Sequence, residues 1–529
     1  MKIKKIRLNN FRIYQEETTI DFKDLTVFVG KNDIGKSTIL EALDIFFNEN
    51  KGVIKIEKDD INKRNSERGN TEITISVVFE DLSGALTIDA TNPTTLSDEY
   101  LLNRDGDLEI IKKYPNAGKE KVFIKAYHPT NPSCSDLLSK KITELRRILD
   151  DNGIECEDKT RSAVIRSAIW GHFSDDLQFN DVEIDVTKED AKNIWNQLKN
   201  YMPLYALFQS DRKNSDGDSE VQDPLKEAVR QILNNEELRK KFNEIAMEVR
   251  GKLEEVANRT LDKLREMNPD VANSLNPVIP PAESLKWADI FKNVKISGDE
   301  DIPINKRGSG IKRLILLNFF RAEAERRQQE RNVPNIIYAI EEPETSQHPE
   351  HQRKLIEAFK ALSNTDNTQI ILTTHSPAIV KLLDFEDLKL LKEDNGQINI
   401  IQIERHNLPY PSLNEVNFLA FGESNEEYHN ELYGYIEHEG KLDDYKNGKE
   451  TLEYIKMNRD GGRGRTLNIT LTEYIRHQIH HPENTLNRRF TREQLQESIR
   501  MMREFIQNNI TTQQIASPDR YSAALHSGK

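Results

Sequence analysis

Cysteine, tryptophan and methionine are scarce: 529 residues hold two cysteines, three tryptophans and seven methionines. Cys134 and Cys156 cannot form a disulfide framework in a chain this large, which points to a reducing, cytoplasmic setting. No apolar run reaches the ~18 residues of a membrane-spanning helix. The opening MKIKKIRLNNFRIY has no apolar segment of signal-peptide length, so no membrane partner is expected. The absence of a fixed-period repeat excludes solenoids and propellers. Cations are the minority charge, 75 against 89 Asp and Glu, and the net charge is −14. That excludes a surface that coats nucleic acid indiscriminately, but not a local basic groove, because the field that matters is local. Recurrent apolar runs mark a globular chain, long enough for several cores.

Those runs divide the chain. KIKKIRLNNF and DLTVFVG read as strands, and helical spacing begins at Ser37 with Ile39, Leu40, Leu43, Phe46 and Phe47. EITISVVFED alternates as a strand, and LEIIKKY and KVFIKAY are further strand candidates. From residue 131 the pattern turns charged and helical. PLYALF (203–208) interrupts it as a short buried strand, and a longer helical tract follows over 222–268. NIIYAIEEPE and TQIILTTHSP are continuous apolar runs ending in polar residues, which marks strands buried on both faces of a parallel sheet. Beyond residue 403 the chain is polar and helical, punctuated by NRDGGRGR (458–465). The expected organisation is 1–130, 131–270 as a helical insertion, 271–403, and 404–529 as a mainly helical C-terminal domain.

GKNDIGKS, Gly30–Ser37, satisfies G-x-x-x-x-G-K-[ST] between a strand and a helix. Its glycines let backbone N–H groups wrap phosphate oxygens, Lys36 reaches the β/γ-phosphates, and the Ser37 hydroxyl binds Mg²⁺. The helix N-terminus adds a favourable dipole. A phosphate loop that hydrolyses ATP also needs a carboxylate for the metal and a group to orient water. Glu341 and Glu342, at the end of the 336–341 run, fit these two roles in that order. His375, ending the next buried run, is placed to hydrogen-bond the γ-phosphate or the attacking water. The expected catalytic residues are therefore Lys36, Glu342 and His375, with Ser37 and Glu341 at the metal.

The order of phosphate loop, helical insertion, E-E-P-E and T-T-H-S resembles the ABC-type ATPase heads of the RecF, SMC and OLD group. The resemblance covers about half the chain, 1–130 and 270–403. It implies an α/β P-loop head with a coiled-coil-like insertion and ATP sandwiched between two heads of a homodimer or higher homo-oligomer. Arg12, in LNNFRIY, matches an arginine near the nucleotide. In NKRGSGIKRLILL (305–317), Ser309 and Gly310 would face the partner subunit's γ-phosphate. The nucleotide-contact set is then Arg12, Gly30, Asn32, Gly35, Lys36, Ser37, Thr38, Ser309 and Gly310. Departures exist: Glu341 stands where an aspartate is usual, SQHP replaces the usual LHP, and Glu80 is the candidate for the Q-loop residue. The segments 206–228 and 408–434 resemble the PtuA family, ATPases of Septu antiphage systems and of some retrons. That implies an HNH-type nuclease subunit as partner, with nucleic acid or a retron reverse transcriptase complex as further candidates; the AriA family of PARIS systems is a competitor. OLD proteins carry a Toprim nuclease after the head. No strand ending in a lone Glu with a later D-x-D is found, so no such module is expected. Alternative readings are a RecF/SMC-like DNA-repair ATPase and a toxin with its own HEPN-like ribonuclease tail.

The tail alternative rests on YIRHQIHHPEN, Tyr474–Asn484. His477 with His480 or His481 could share a metal, although a structural zinc normally takes four ligands and no cysteine is near. Arg476 and His481 resemble the R-x4-6-H pair of HEPN ribonucleases. The third reading is a polar helix end stopped by Pro482, available to dock a partner. Arg459, Arg463, Arg465, Arg488, Arg489 and Arg492 are candidates for nucleic-acid contact, diluted by neighbouring carboxylates.

Overall fold

The computed structural model describes residues 1–49, 52–82, 94–209, 335–345, 347–394, 397–403 and 412–511, with short pieces at 232–233, 235–248 and 251. Two compact units emerge: Met1–Thr26 with Gly35–Thr373, and Val27–Ile34 with Thr374–Lys529.

In the first unit an antiparallel sheet uses β1 (Lys2–Asn9), β2 (Thr18–Asp21), β4 (Glu72–Glu80), β5 (Leu108–Pro115), β6 (Lys121–Pro129) and β7 (Phe179–Asp185), in the order β2-β1-β4-β5-β6-β7. The alternation of β4 buries Ile73, Ile75, Val77 and Phe79 completely. β7 lies in the stretch expected to be helical. Its sequence, FNDVEID, is an edge strand with little apolar alternation, so periodicity gave no sign of it. Helices α2 (Ile142–Asn152) and α3 (Ser162–His172) follow β6, with Leu145, Leu149, Ile165, Ile169 and Trp170 forming their core. Within this packing Arg166 forks onto Glu99 at 2.6 and 2.7 Å and also reaches Asp190. Both Arg166 and Glu99 are almost fully buried.

Helix α4 (Glu189–Tyr201) leads into β8 (Leu204–Phe208), which pairs in parallel with β9 (Ile336–Glu341). β9 pairs in parallel with β10 (Thr368–Thr374), preceded by α5 (Pro349–Ser363). Every residue of β10 is buried, as the unbroken apolar run predicts for a covered parallel strand. Helix α1 (Lys36–Asn48) lies on β8: Tyr205 donates to the Leu40 carbonyl at 2.6 Å and stacks on Phe47 at 5.5 Å. Gln369 of β10 binds both backbone groups of Ile3, accepting at 2.7 Å and donating at 2.9 Å.

In the second unit β3 (Leu25–Val29), which straddles the division, pairs in parallel with β11 (Leu388–Asp394). β11 pairs antiparallel with β12 (Gln397–Gln402). Helices α6 (Leu413–Phe421), α7 (Glu426–His438), α8 (Leu471–His480) and α9 (Arg492–Ile506) follow, and Leu432, Ile436, Ile475, Ile499 and Met502 fill their core. NRDGGRGR is more than punctuation: it turns β13 (Thr451–Met457) into β14 (Arg463–Thr470). The buried Glu415 receives a two-pronged contact from Arg503 at 2.5 and 2.8 Å and the hydroxyl of Tyr428. Cys134 and Cys156 are free. Among the described residues no helix is long and apolar enough to cross a membrane.

A polar chain also crosses this core. His429 meets Ser498 at 3.0 Å, Ser498 meets Thr472 at 2.8 Å, and Thr472 meets Tyr445 at 2.8 Å. Burial, helped by the Arg476 charge, depresses His429 to about 3. The unfolded chain therefore takes up a proton near pH 6.5 that the folded unit refuses, so stability is lost as pH falls from there toward 3. Denaturant unfolding between pH 7 and 4 should show this decline, and His429→Gln should flatten it.

Candidate active site

The phosphate loop joins β3 to α1. Gly30 is buried, Asn32 is exposed, and both belong to the second unit; Gly35, Lys36, Ser37 and Thr38 belong to the first. Gly35 has φ +90°, and a Cβ there would meet Ile13 Cγ2 at 2.9 Å and the Tyr14 hydroxyl oxygen at 3.2 Å. The buried Tyr14 hydroxyl donates to the Gly35 carbonyl at 3.0 Å and fixes the turn. The head of α1 has no side-chain cap and no acidic residue in its first turn, so its dipole is set for an anion. Lys36 is only 4% exposed, which places its ammonium in a buried setting.

Glu341 is the last residue of β9 and hydrogen-bonds Ser37. Its pKa is raised, first by burial; bonds from Ser37 and Gln209 pull it down, while Glu41 and Glu342 push it up. Glu342 turns the chain sharply, with φ +43° and its N–H on the Thr373 carbonyl at 3.1 Å. A left-handed glutamate at a strand end is costly and persists where the surroundings over-determine it.

Gln209 was not anticipated. It follows β8 and donates to Glu41 at 3.0 Å as well as bonding Glu341, while its own carbonyl oxygen is buried and has no partner among the described residues. The signal was available: PLYALF ends at Gln209 as the 336–340 run ends at Glu341, and parallel neighbours end on the same sheet edge. Glu80 is the candidate Q-loop residue. It ends β4 opposite Lys2 in the antiparallel sheet, and the groups that perturb it are Asp81, Lys4, Asp107 and Lys2.

Arg12, with φ +50°, binds Asp60 at 2.7 Å and also Glu41. Asp60, Arg12, Glu41, Gln209, Glu341 and Ser37 thus form one continuous chain of polar contacts. The oxygens of Ser37, Glu341 and Gln209 are hard donors of the kind Mg²⁺ takes, and the unpartnered Gln209 oxygen leaves a lone pair for such a cation. His375 is exposed, directly after β10 in the second unit. Ser309 and Gly310 lie outside the described residues.

Of the C-terminal histidines, His477 and His481 come together, their rings stacked at 6.3 Å. His477 stacks on Tyr454 at 5.0 Å, His480 is exposed, and His481 meets Glu483 at 3.2 Å. Arg476 lies over the Tyr433 ring at 3.9 Å and against Glu437 at 3.5 Å. Among the described residues no three His, Cys, Asp or Glu side chains form a metal cluster. A cavity of about 180 Å³ borders His481, but its Gln478, Asn484, Asn487 and Arg489 already bind backbone or side-chain groups.

Gly35→Ala should strain the loop and crowd Ile13, lowering stability by about 1–3 kcal/mol. Thermal unfolding without nucleotide reads the effect, and ATP affinity should fall with it.

The model of the AAA ATPase domain family AAA_15 matches residues 1–380. The Retron Ec83 probable ATPase of Escherichia coli is 23% identical over 427 residues, 75% of this chain and 72% of that protein. The OLD nuclease of Thermus scotoductus is 30% identical over 121 residues, so the alignment spans only 22% of that relative and 22% of this chain. Among solved structures, the SMC head domain from Thermotoga maritima has a TM-score of 0.33 at 14% identity, covering 76% of this chain and 100% of that one. An Smc head domain from Pyrococcus furiosus has a TM-score of 0.37 at 13% identity, covering 75% and 95%. With a strand-to-helix phosphate loop on a mixed α/β scaffold and a family match over most of its length, the chain belongs to the AAA_15 family of AAA ATPase domains.

Proposed function

We propose that this chain binds and hydrolyses ATP with Mg²⁺ as the regulatory subunit of a prokaryotic antiphage defence complex, controlling a partner nuclease of the HNH type. The observation that carries the ATP reading is the hydrogen bond between Glu341 and Ser37, which unites the phosphate-loop hydroxyl with the strand-end carboxylate. Lys36 and the N–H groups of Gly30–Thr38, Asn32 included, hold the phosphates. Ser37 and Glu341 hold the metal, with Gln209 beside them. Glu342 orients the attacking water, and His375 addresses the γ-phosphate. Bound Mg²⁺ supplies charge neutralisation on the phosphoryl oxygens. Arg12, now engaged by Glu41 and Asp60, stands one contact from this group. Ser309 and Gly310 serve the nucleotide of a second copy, which makes the head a homodimer or a larger assembly.

The defence role draws support from the retron ATPase relative and from the PtuA-like segments 206–228 and 408–434. In this reading 1–130 and 271–403 make the head, 131–270 is the insertion, and 404–529 holds the partner in the cytoplasm. Nucleotide can switch the assembly only by binding its two states with different affinity.

Two substitutions test the site. Lys36→Ala should weaken ATP binding at least about a hundredfold in calorimetry; unchanged affinity would remove the loop from this role. Glu342→Gln should cut turnover about a hundredfold, keep ATP affinity, and trap an ATP-bound dimer on gel filtration. Normal turnover would assign water orientation elsewhere.

A further inference from the structure

The ribbon β13–β14 differs electrostatically from the rest of its unit. Between residues 456 and 465 stand Lys456, Arg459, Arg463 and Arg465 against the single carboxylate Asp460, in a chain of net charge −14. All four cations are exposed. Among the described residues none of them has an ion-pair partner, and neither does the exposed Arg488. Elsewhere in the unit Arg476, Arg489, Arg500 and Arg503 each meet a glutamate, whereas the exposed Arg492 has no ion-pair partner among the described residues. Asp460 is already used, since it accepts from the Gly462 N–H at 3.0 Å within the turn.

The ribbon is firmly built. Its base is held by the buried Tyr454, which stacks on His477 and accepts from Asn484 at 2.9 Å. Asn487 binds both the N–H and the carbonyl of Ile455, at 2.7 and 2.9 Å. Arg488 follows in that same loop, its carbonyl taken by Tyr474 and Gln478. At the tip Asn458 N–H closes on the Gly462 carbonyl at 2.9 Å. Only glycine fits at position 464, where a Cβ would lie 2.5 Å from the Lys456 carbonyl oxygen. Cations on a bare edge also deter unwanted strand pairing. That purpose does not call for one-sided charge continued onto a neighbouring loop.

We propose that this ribbon is a contact surface for double-stranded DNA, with Lys456, Arg459, Arg463, Arg465 and Arg488 on the phosphate backbone. A two-stranded ribbon has the width that the major groove of B-form DNA admits. Residues 456–465 contain no aromatic side chain, so there is no platform on which single-stranded bases would stack. The major groove of an A-form RNA duplex is too narrow for a ribbon. The inference stands on the second unit alone and is independent of the nucleotide reading.

The test is fluorescence anisotropy of the full chain with a labelled duplex of about 30 base pairs, from about 50 to 300 mM salt. The triple variant Arg459→Ala, Arg463→Ala, Arg465→Ala should bind at least about tenfold more weakly, and its salt slope should fall by about 2–3. Its melting temperature should not change, and the Arg500→Ala control should bind as the wild type does. The proposal is overturned if the wild type does not bind the duplex, or if the triple variant keeps both affinity and slope. Equal competition by single-stranded DNA or an RNA duplex would overturn the duplex assignment. Binding of polyglutamate in place of DNA would mark a surface for an acidic protein and overturn it as well.

Discussion

One amide joins the two sheets of the first unit. Gln369 replaces a strand neighbour for Ile3, supplying both the donor and the acceptor that the backbone there requires. Left unpaired, those buried groups would cost a few kcal/mol. The bond fixes where β10 lies along β1, and β10 in turn sets the register of β9, with Thr373 opposite Glu341. From that register follow the turn at Glu342 and the reach of Glu341 to Ser37. A contact that touches none of the loop residues thus helps to hold the site geometry, together with the β8–β9 pairing and the Ile370 N–H on the Asp24 carbonyl at 2.8 Å.

Around that geometry the charges conflict. Burial disfavours the ionised form of Glu341, and the charges of Glu41 and Glu342 add to that effect. Arg12 offsets part of this by pairing with Glu41, and the amide of Gln209 offsets more. Packing alone does not require acids to be concentrated this way. Such local violations of good folding practice are where function resides in otherwise consistent structures.

Much of this was legible in the sequence, for physical reasons. The buried parallel strands are long apolar runs with a polar end, so β9 and β10 and their terminal Glu341 and Thr374 could be placed from hydrophobicity alone. The phosphate loop announces itself through glycine spacing. β7 was hidden because an exposed edge strand has no reason to alternate, and the β13–β14 ribbon because its strands bury almost nothing but Tyr454. Gln209 was missed because an amide at a strand end carries no charge signal; its role depends on the neighbour strand, which lies more than a hundred residues away in sequence. The histidines of α8 looked like a constellation in the linear text. In space only His477 and His481 meet, as one helical turn allows, while His480 is exposed and, among the described residues, no third ligand joins them in a metal cluster.

The buried pair of Arg166 and Glu99 ties α3 to the segment that precedes β5. Losing either member strands a charge in the interior, which is far more destabilising than losing both together. Descendants of this sequence therefore have no easy single-step route away from the pair. The two segments must drift jointly, and a recombination point that brought in one without the other would yield a chain that folds poorly.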